Sequence, residues 1–405
     1  MEMAVSELAV PDNVSSDLVV DWDIYTQPEL LEDIHLGWHS LHESAPDIFW
    51  TPRNGGHWVV MRYDDQVRVL TDAEHFSSRE LHIPPMFNDT VMIPLNLDPP
   101  DHTRYRAVLM RHFGPGAINR MEPKLTAWAN RLIDRVIADG ACDFTETLGA
   151  GFPVSVFMEL AGMPLERFED FRKIVLEYFS NITPERRGQL QDHIMSIWRE
   201  LFDEKRRNPG DDLTTDLLQA DVRGRKLTQD ELESMGFLLF LGGLDTVANA
   251  LTFSFRNLAQ RPDLQKRLAA ETEKLPDYVE ESLRRFAVVN QTRIVKKDIE
   301  IKGAHFRAGQ MLICPLTAAG LDDRRNPDPE TFDIDREDRG HITFSIGAHT
   351  CIGNMLARLV FTREWLRRVP HFVLADDDQP AWRPGMVMAL EHLRLKWEVP
   401  AESGS

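Results

Sequence analysis

Of the three cysteines, at positions 142, 314 and 351, one lies in surroundings built for chemistry. Phe344-Ser345-Ile346-Gly347-Ala348-His349-Thr350-Cys351-Ile352-Gly353 precedes a segment in which Leu356, Ala357, Val360 and Trp365 form an amphipathic pattern, so Cys351 is expected at a helix N-terminus. Backbone N–H groups and the positive end of the helix dipole lower a thiol pKa there, and the sulfur can persist as a thiolate that ligates iron. Gly347 and Gly353 leave the loop bare, which suits a flat macrocycle stacked on it. Cys142 and Cys314 read as small buried hydrophobes.

Leu241-Gly242-Gly243-Leu244-Asp245-Thr246 falls inside a long helical pattern. Two adjacent glycines cost about 1 kcal/mol each in a helix and ask for a reason, either close helix packing or a face kept bare for a ligand. Thr246 either bends or widens a turn there, or simply bonds back to the preceding turn. Glu281 and Arg284 stand at i, i+3 and can meet on one helix face. Asp98-Pro99-Pro100-Asp101-His102-Thr103-Arg104-Tyr105-Arg106 gathers a histidine and an arginine behind two prolines.

Together these stretches resemble the cytochrome P-450 family. The pattern F-x-x-G-x-H-x-C-x-G is similar to its haem-binding signature, Gly242 to Thr246 to its distal acid–alcohol element, and Glu281-Ser282-Leu283-Arg284 to its E-x-x-R helix. Phe332-Asp333-Ile334-Asp335-Arg336 is similar to its meander loop, and D-P-P-x-H-x-x-x-R to its propionate-binding segment. Matching elements run from about residue 60 to residue 400, and the bacterial camphor hydroxylase branch is nearest, sharing Gly-Gly-Leu-Asp-Thr-Val and Glu-Glu before Leu-Arg-Arg-Phe. The resemblance implies haem b with Cys351 as axial iron ligand, Phe344, Gly347, His349 and Gly353 in the loop beneath it, and Gly242 facing its distal side. His102, Arg106, Arg293 and His349 would receive the propionates, because buried negative charges require cationic or hydrogen-bonding partners. Thr246 would hydrogen-bond the activated oxygen and Asp245 would gate protons from solvent. Glu281, Arg284 and Arg336 would hold the proximal side of the fold and take no part in catalysis.

The camphor branch is left just before Asp98. In Asn88-Asp89-Thr90-Val91-Met92-Ile93-Pro94, Thr90 stands where that enzyme has its ketone-binding tyrosine and Met92 where it has a phenylalanine. The implied substrate pocket, Thr90, Met92, Leu238, Leu241, Val289, Met386 and Val387, is apolar with one hydroxyl. It suits a compact hydrophobic molecule such as a terpenoid or norisoprenoid ketone, hydroxylated with O2. No G-x-G-x-x-G strand–helix unit or ferredoxin-type cysteine set is present, so electrons from NADH are expected through a reductase and a [2Fe–2S] ferredoxin. The rivals are a peroxide-dependent peroxygenase, which the acid–alcohol pair argues against, and a non-enzymatic haem sensor, for which no output domain is seen.

Such a site demands a mainly α, single-domain P-450 fold of about a dozen helices with small β-sheets around the haem. Leu30, Leu31, Ile34, Trp38 and Leu41 predict a helix after Pro28, and Asp47–Tyr63 predicts two strands turned by Asn54-Gly55. Leu125 to Val136 form another apolar stripe. Thr228 and Glu231 form a capping box opening a helix that runs to about Gln260, some 50 Å at about 1.5 Å per residue. Ile299–Phe306 and Met311–Pro315 are β-type runs, Asn326–Asp335 is a loop, and Met386–Val399 looks like a hairpin. Residues 1–20 are expected to be flexible and 21–400 to form the domain.

The 405 residues are 42% hydrophobic and 27% charged, which is globular composition. A net charge of −19 opposes nucleic acid and anionic membrane as partners. Glu2, Glu7 and Pro11 speak against a leader or anchor, no run approaches about 20 apolar residues, and odd, scattered cysteines fit a reducing compartment, so a cytoplasmic location is expected. Arg358, Arg363, Arg367 and Arg368 form either an acidic partner's docking patch or a solvated helix face.

Overall fold

The computed structural model describes residues 10–85, 91–179, 182–353, 360–369 and 371–399. These contain fourteen α-helices. The first six are α1 (Pro28–Glu32), α2 (Ile34–Ser44), α3 (Tyr63–Thr71), α4 (Asp101–Phe113), α5 (Pro115–Asp134) and α6 (Gly151–Ala161). Then come α7 (Phe168–Phe179), α8 (Pro184–Arg207), α9 (Leu213–Gln219) and α10 (Gln229–Ala259). The last four are α11 (Pro262–Ala270), α12 (Leu275–Arg285), α13 (Leu316–Gly320) and α14 (Val360–Arg368).

The strands are short: β1 (Ile48–Thr51), β2 (His57–Val60), β3 (Phe76–Ser77), β4 (Ala141–Asp143), β5 (Asp221–Val222), β6 (Arg225–Lys226) and β7 (Asn290–Val295). They continue as β8 (Ile299–Ile301), β9 (Ala304–Phe306), β10 (Met311–Pro315), β11 (Phe372–Leu374), β12 (Trp382–Arg383), β13 (Ala389–Leu390) and β14 (Arg394–Trp397). The largest sheet has the order β1-β2-β10-β7-β3, and its register sets Leu312 opposite Arg293 and Trp58 beside Leu312. It carries Arg293 into the site.

Three expectations need correction. The single helix after Pro28 is two helices, because Asp33 takes extended backbone and its carboxylate accepts from the N–H groups of His35 and Leu36, starting α2 afresh. The hairpin over 386–399 does not close on itself: β13 pairs with β12, while β14 lies between β11 and β4. The apolar side chains explain it, since Met388 and Leu390 belong to one buried cluster and Leu393, Leu395 and Trp397 to another. The N-terminal segment is fastened from residue 10 onward, with Asn13 Nδ2 donating to His305 O at 2.6 Å and Val20 N to Trp50 O at 2.9 Å; residues 1–9 lie outside the described residues.

α10 is the axis of the molecule. Thr228 Oγ1 accepts from Glu231 N at 3.2 Å while the Glu231 carboxylate accepts from Thr228 N at 2.8 Å, so the predicted capping box is formed. Its 31 residues are long and apolar enough to cross a membrane, but over half of the apolar window is buried against neighbours that include α6 and α8. Gly236 is where α10 touches α8 most tightly: a Cβ there would lie 2.5 Å from the buried Trp198 ring. Gly236→Ala should therefore destabilise the fold by about 1–3 kcal/mol through overpacking, seen as a lower thermal unfolding midpoint.

Candidate functional site

The cysteine loop is shaped by its backbone. Cys351 N donates to Phe344 O at 2.7 Å, Ser345 N to Ile342 O at 2.7 Å, and Thr350 N to Gly347 O at 3.2 Å around a 3-10 turn over Gly347–His349. Gly347 has φ +77, and a Cβ on it would stand 3.3 Å from Thr71 Cγ2, so the loop leans directly on the end of α3. On Gly353 a Cβ would meet Cys351 Sγ at 4.0 Å. Cys351 is exposed, whereas burial pushes the thiols of Cys142 and Cys314 up to about 12. Only Cys351, of the three, presents its sulfur as an accessible ligand. Residues 354–359, with Leu356, Ala357 and Arg358, lie outside the described residues, and the helix expected behind the cysteine is described as α14.

Beside this loop stands a group of basic side chains with few acidic partners. The rings of His102 on α4 and His349 lie 4.1 Å apart. Arg293 on β7 and His102 are buried, and Arg106 is half-buried without an ion pair among the described residues. His102 Nδ1, His349 Nε2 and Arg293 Nη2 have no hydrogen-bond partner among the described residues. Burial, with like charges nearby, pushes His102 down to about 4 and His349 to about 3; burial alone pushes Arg293 to about 10, and Asp98 is the carboxylate that opposes all three. Burial also lowers Arg106, and a Cys351 thiolate would raise it, which joins the cation group and the cysteine into one site. These unpartnered donors fit an anionic ligand such as the two propionates of haem.

On α10, Gly242 is exposed although it sits mid-way along a core helix. A Cβ on Gly242 would come no nearer than 3.9 Å to any atom outside its own turn, and on Gly243 no nearer than 4.0 Å. Close helix packing is thus not what these glycines serve; they keep a face bare. Thr246 Oγ1 donates to Gly242 O at 3.1 Å, bonding back to the preceding turn, and α10 runs as α-helix through this point without a widened turn. Asp245 is nearly buried; burial raises its pKa, and Arg383 Nη2 lies 3.6 Å from its Oδ1. Arg383, from β12, is absent from the sequence expectations, because nothing local connects residue 383 to residue 245.

A family model, cytochrome P450, matches residues 151–363. The probable cytochrome P450 127A1 of Sinorhizobium fredii is 33% identical over 401 residues, covering 96% of this chain and 97% of that protein. The chain belongs to the cytochrome P450 family. Nocardicin C N-oxygenase of Nocardia uniformis is 31% identical over 88% of this chain and 93% of its own length. Among solved structures, CYP101J2 superposes with a TM-score of 0.89 at 35% identity over 97% of this chain and all (100%) of that one. CYP101C1 gives 0.91 at 31% over 96% of this chain and 100% of that one. The protein is accordingly a haem-containing, O2-using oxidoreductase of the monooxygenase type with the P450 fold.

In this P450 the expected pocket residues are placed as follows. Thr90 lies outside the described residues. Met92, Leu238, Leu241, Val289, Met386 and Val387 are all half-buried, so none of the six belongs to the sealed core. An isolated β-bridge brings Val289 against Val387, and Asn290 N donates to Met386 O at 2.9 Å. Leu238 and Leu241 share α10, to which the Met92 segment is tied by Ile93 N donating to Ser234 Oγ at 2.9 Å.

Glu281 and Arg284 meet in a bidentate pair at 2.7 and 2.9 Å, and neither side chain exposes any surface. Arg284 also donates to the carbonyls of Gly320 and Pro329 at 2.8 Å and of Thr331 at 3.1 Å. Arg336 Nε stands 3.6 Å from Glu281, and its Nη atoms donate to Pro327, Asp328 and Thr331 carbonyls. A fourth member, Arg339, reaches Glu281 at 3.8 Å and Asp277 at 3.4 Å. Its signal in sequence was a second arginine three positions after Arg336. In the basic patch, Arg363, Arg367 and Arg368 are paired with Glu122, Glu364 and Asp134.

Because Arg284→Ala would leave the Glu281 charge buried with weaker partners, it should cost about 3–5 kcal/mol in thermal or urea unfolding.

Proposed function

We propose that Cys351 is the axial sulfur ligand of haem b and that the enzyme hydroxylates a compact hydrophobic substrate, a terpenoid or an ionone-like norisoprenoid. The observation that carries the haem site is the group of unpartnered polar atoms on His102, His349 and Arg293, with His349 two residues before the exposed Cys351. Haem b, when bound, supplies activation of O2 and insertion of one oxygen atom into a C–H bond while the other leaves as water. Cys351 holds the iron, and His102, Arg106, Arg293 and His349 take the propionates, which supply the negative charge their setting lacks. Phe344, Gly347 and Gly353 form the loop under the macrocycle, and Gly242 keeps α10 bare above it.

Asp245 and Thr246 move protons. The Thr246 hydroxyl gives its own hydrogen to Gly242 O, which leaves its oxygen lone pairs ready to accept a donor. Burial keeps the Asp245 carboxyl protonated to higher pH than usual, so it can give a proton nearer neutrality. The half-buried apolar side chains Met92, Leu238, Leu241, Val289, Met386 and Val387, with Thr90, position the substrate. A [2Fe–2S] ferredoxin with an NADH-dependent reductase delivers the electrons, since the 405 residues hold three cysteines, fewer than a cluster of that kind needs. The net charge of −19 favours a cytoplasmic enzyme that binds neither nucleic acid nor anionic membrane.

The reduced protein with carbon monoxide should give the absorption band diagnostic of sulfur-ligated haem, and Cys351→Ser should abolish that band; its survival would overturn the assignment. Screening terpenoids and norisoprenoids for a low-to-high-spin change tests the substrate class. Thr246→Ala should leave NADH consumption largely intact while product falls and peroxide rises, whereas unchanged coupling would remove the proton role of Thr246.

A further inference from the structure

Asp245 is a nearly buried carboxylate half-way along a core helix, and ionised carboxylates are costly there unless paired. Among the described residues the one charged group acting on it is Arg383, with Nη2 3.6 Å from Asp245 Oδ1. Asn249, one turn further along α10, and the neighbouring Thr246 are uncharged. No titratable side chain of α6 or α8, which pack against α10, acts on it.

The position of Arg383 is determined from several sides. Its strand β12 pairs with β13, setting Arg383 opposite Ala389. The adjacent Trp382 ring stacks on Phe253 of α10 with centroids 6.1 Å apart and planes 15° apart, and Arg256 of α10 lies 5.9 Å over the same indole. Arg383 Nη1 donates to Phe179 O at 3.2 Å, at the end of α7, so one arm of the guanidinium fork is fixed and the other is turned toward Asp245.

We propose that Arg383 is a positioning residue for proton delivery, serving as the counter-ion that holds the Asp245 carboxylate in place next to Thr246. The inference rests on the reading of Asp245 as a proton carrier. Burial raises the Asp245 pKa, and Arg383, 3.6 Å from its carboxylate, opposes that rise. The acid on the central helix is thereby governed by a strand far beyond the cysteine in the chain.

Two variants separate charge from packing. Arg383→Gln keeps an N–H donor for Phe179 O and removes the charge; Arg383→Lys keeps the charge. In the haem-loaded enzyme with its redox partners, the limb of the pH profile of product formed per NADH that Asp245→Asn abolishes should move up by about one pH unit in Arg383→Gln and stay in place in Arg383→Lys. Whichever form of Asp245 is active, the direction is the same, because loss of the cation raises the carboxyl pKa. Infrared difference titration of the carboxylic C=O band that Asp245→Asn removes should show the same shift without any turnover. An unmoved titration in Arg383→Gln overturns the proposal, as does an equal shift in both variants, which would mean packing alone. If Asp245→Asn leaves the profile unchanged, the proton-carrier reading falls, while the infrared midpoint still decides whether Arg383 sets the charge of Asp245.

Discussion

Placing Arg293, His102 and His349 together in low dielectric works against every one of their charges. The histidines respond by giving up their protons, as their lowered pKa values state, but a guanidinium keeps its charge at neutral pH and has to be answered. Asp98 opposes this in part, yet it also accepts from Ser78 N and faces Lys296, so its charge is shared. Under the proposed haem assignment, the remaining demand for negative charge would tie α4, β7 and the cysteine loop to a common ligand. Each of these elements brings a donor, and together they make a dianion favourable where a lone cation is strained.

The Glu281 network is the opposite solution to the same problem. There Glu281 and Arg284 are also fully buried, but the N–H groups of Arg284 are answered within the protein by a bidentate pair and three backbone carbonyls, and Arg336 and Arg339 stand beside Glu281. A charge group satisfied from within fixes structure and has nothing left to offer a ligand. Among the described residues Arg284, at the centre of the scaffold, leaves no buried polar atom without a partner, whereas His102, His349 and Arg293 each leave one.

Much of this was legible in the order of residues. The long helix with its capping box and the Glu281–Arg284 pair are local patterns that spacing determined, whereas the His102 segment and the roles in the cysteine loop were read through resemblance to a family. What escaped was tertiary. Asp33 breaks a helix that its apolar stripe would have carried through, because its carboxylate binds two amides more favourably than the helix would. The expected terminal hairpin is divided between two sheets because its apolar residues serve two cores. Arg339 and Arg383 act on carboxylates distant in the chain, and only the folded topology brings them there.

α10 shows how one residue type serves opposite ends within a single helix. At Gly236 the missing side chain is filled by the Trp198 ring, so that glycine contributes density and holds α8 close. At Gly242 no described residue outside α10 comes within 4 Å of where the side chain would stand, and the helix bears the propensity cost of a glycine there without a close packing contact in return. A helix that gives up stability at its centre and regains it through tight contacts toward its start is stabilised so as to present a bare, rigid surface at one place. Asp245 and Thr246 lie on the next turn of that surface, which is why their orientation is inherited from the packing of α10 and does not have to be maintained by a loop.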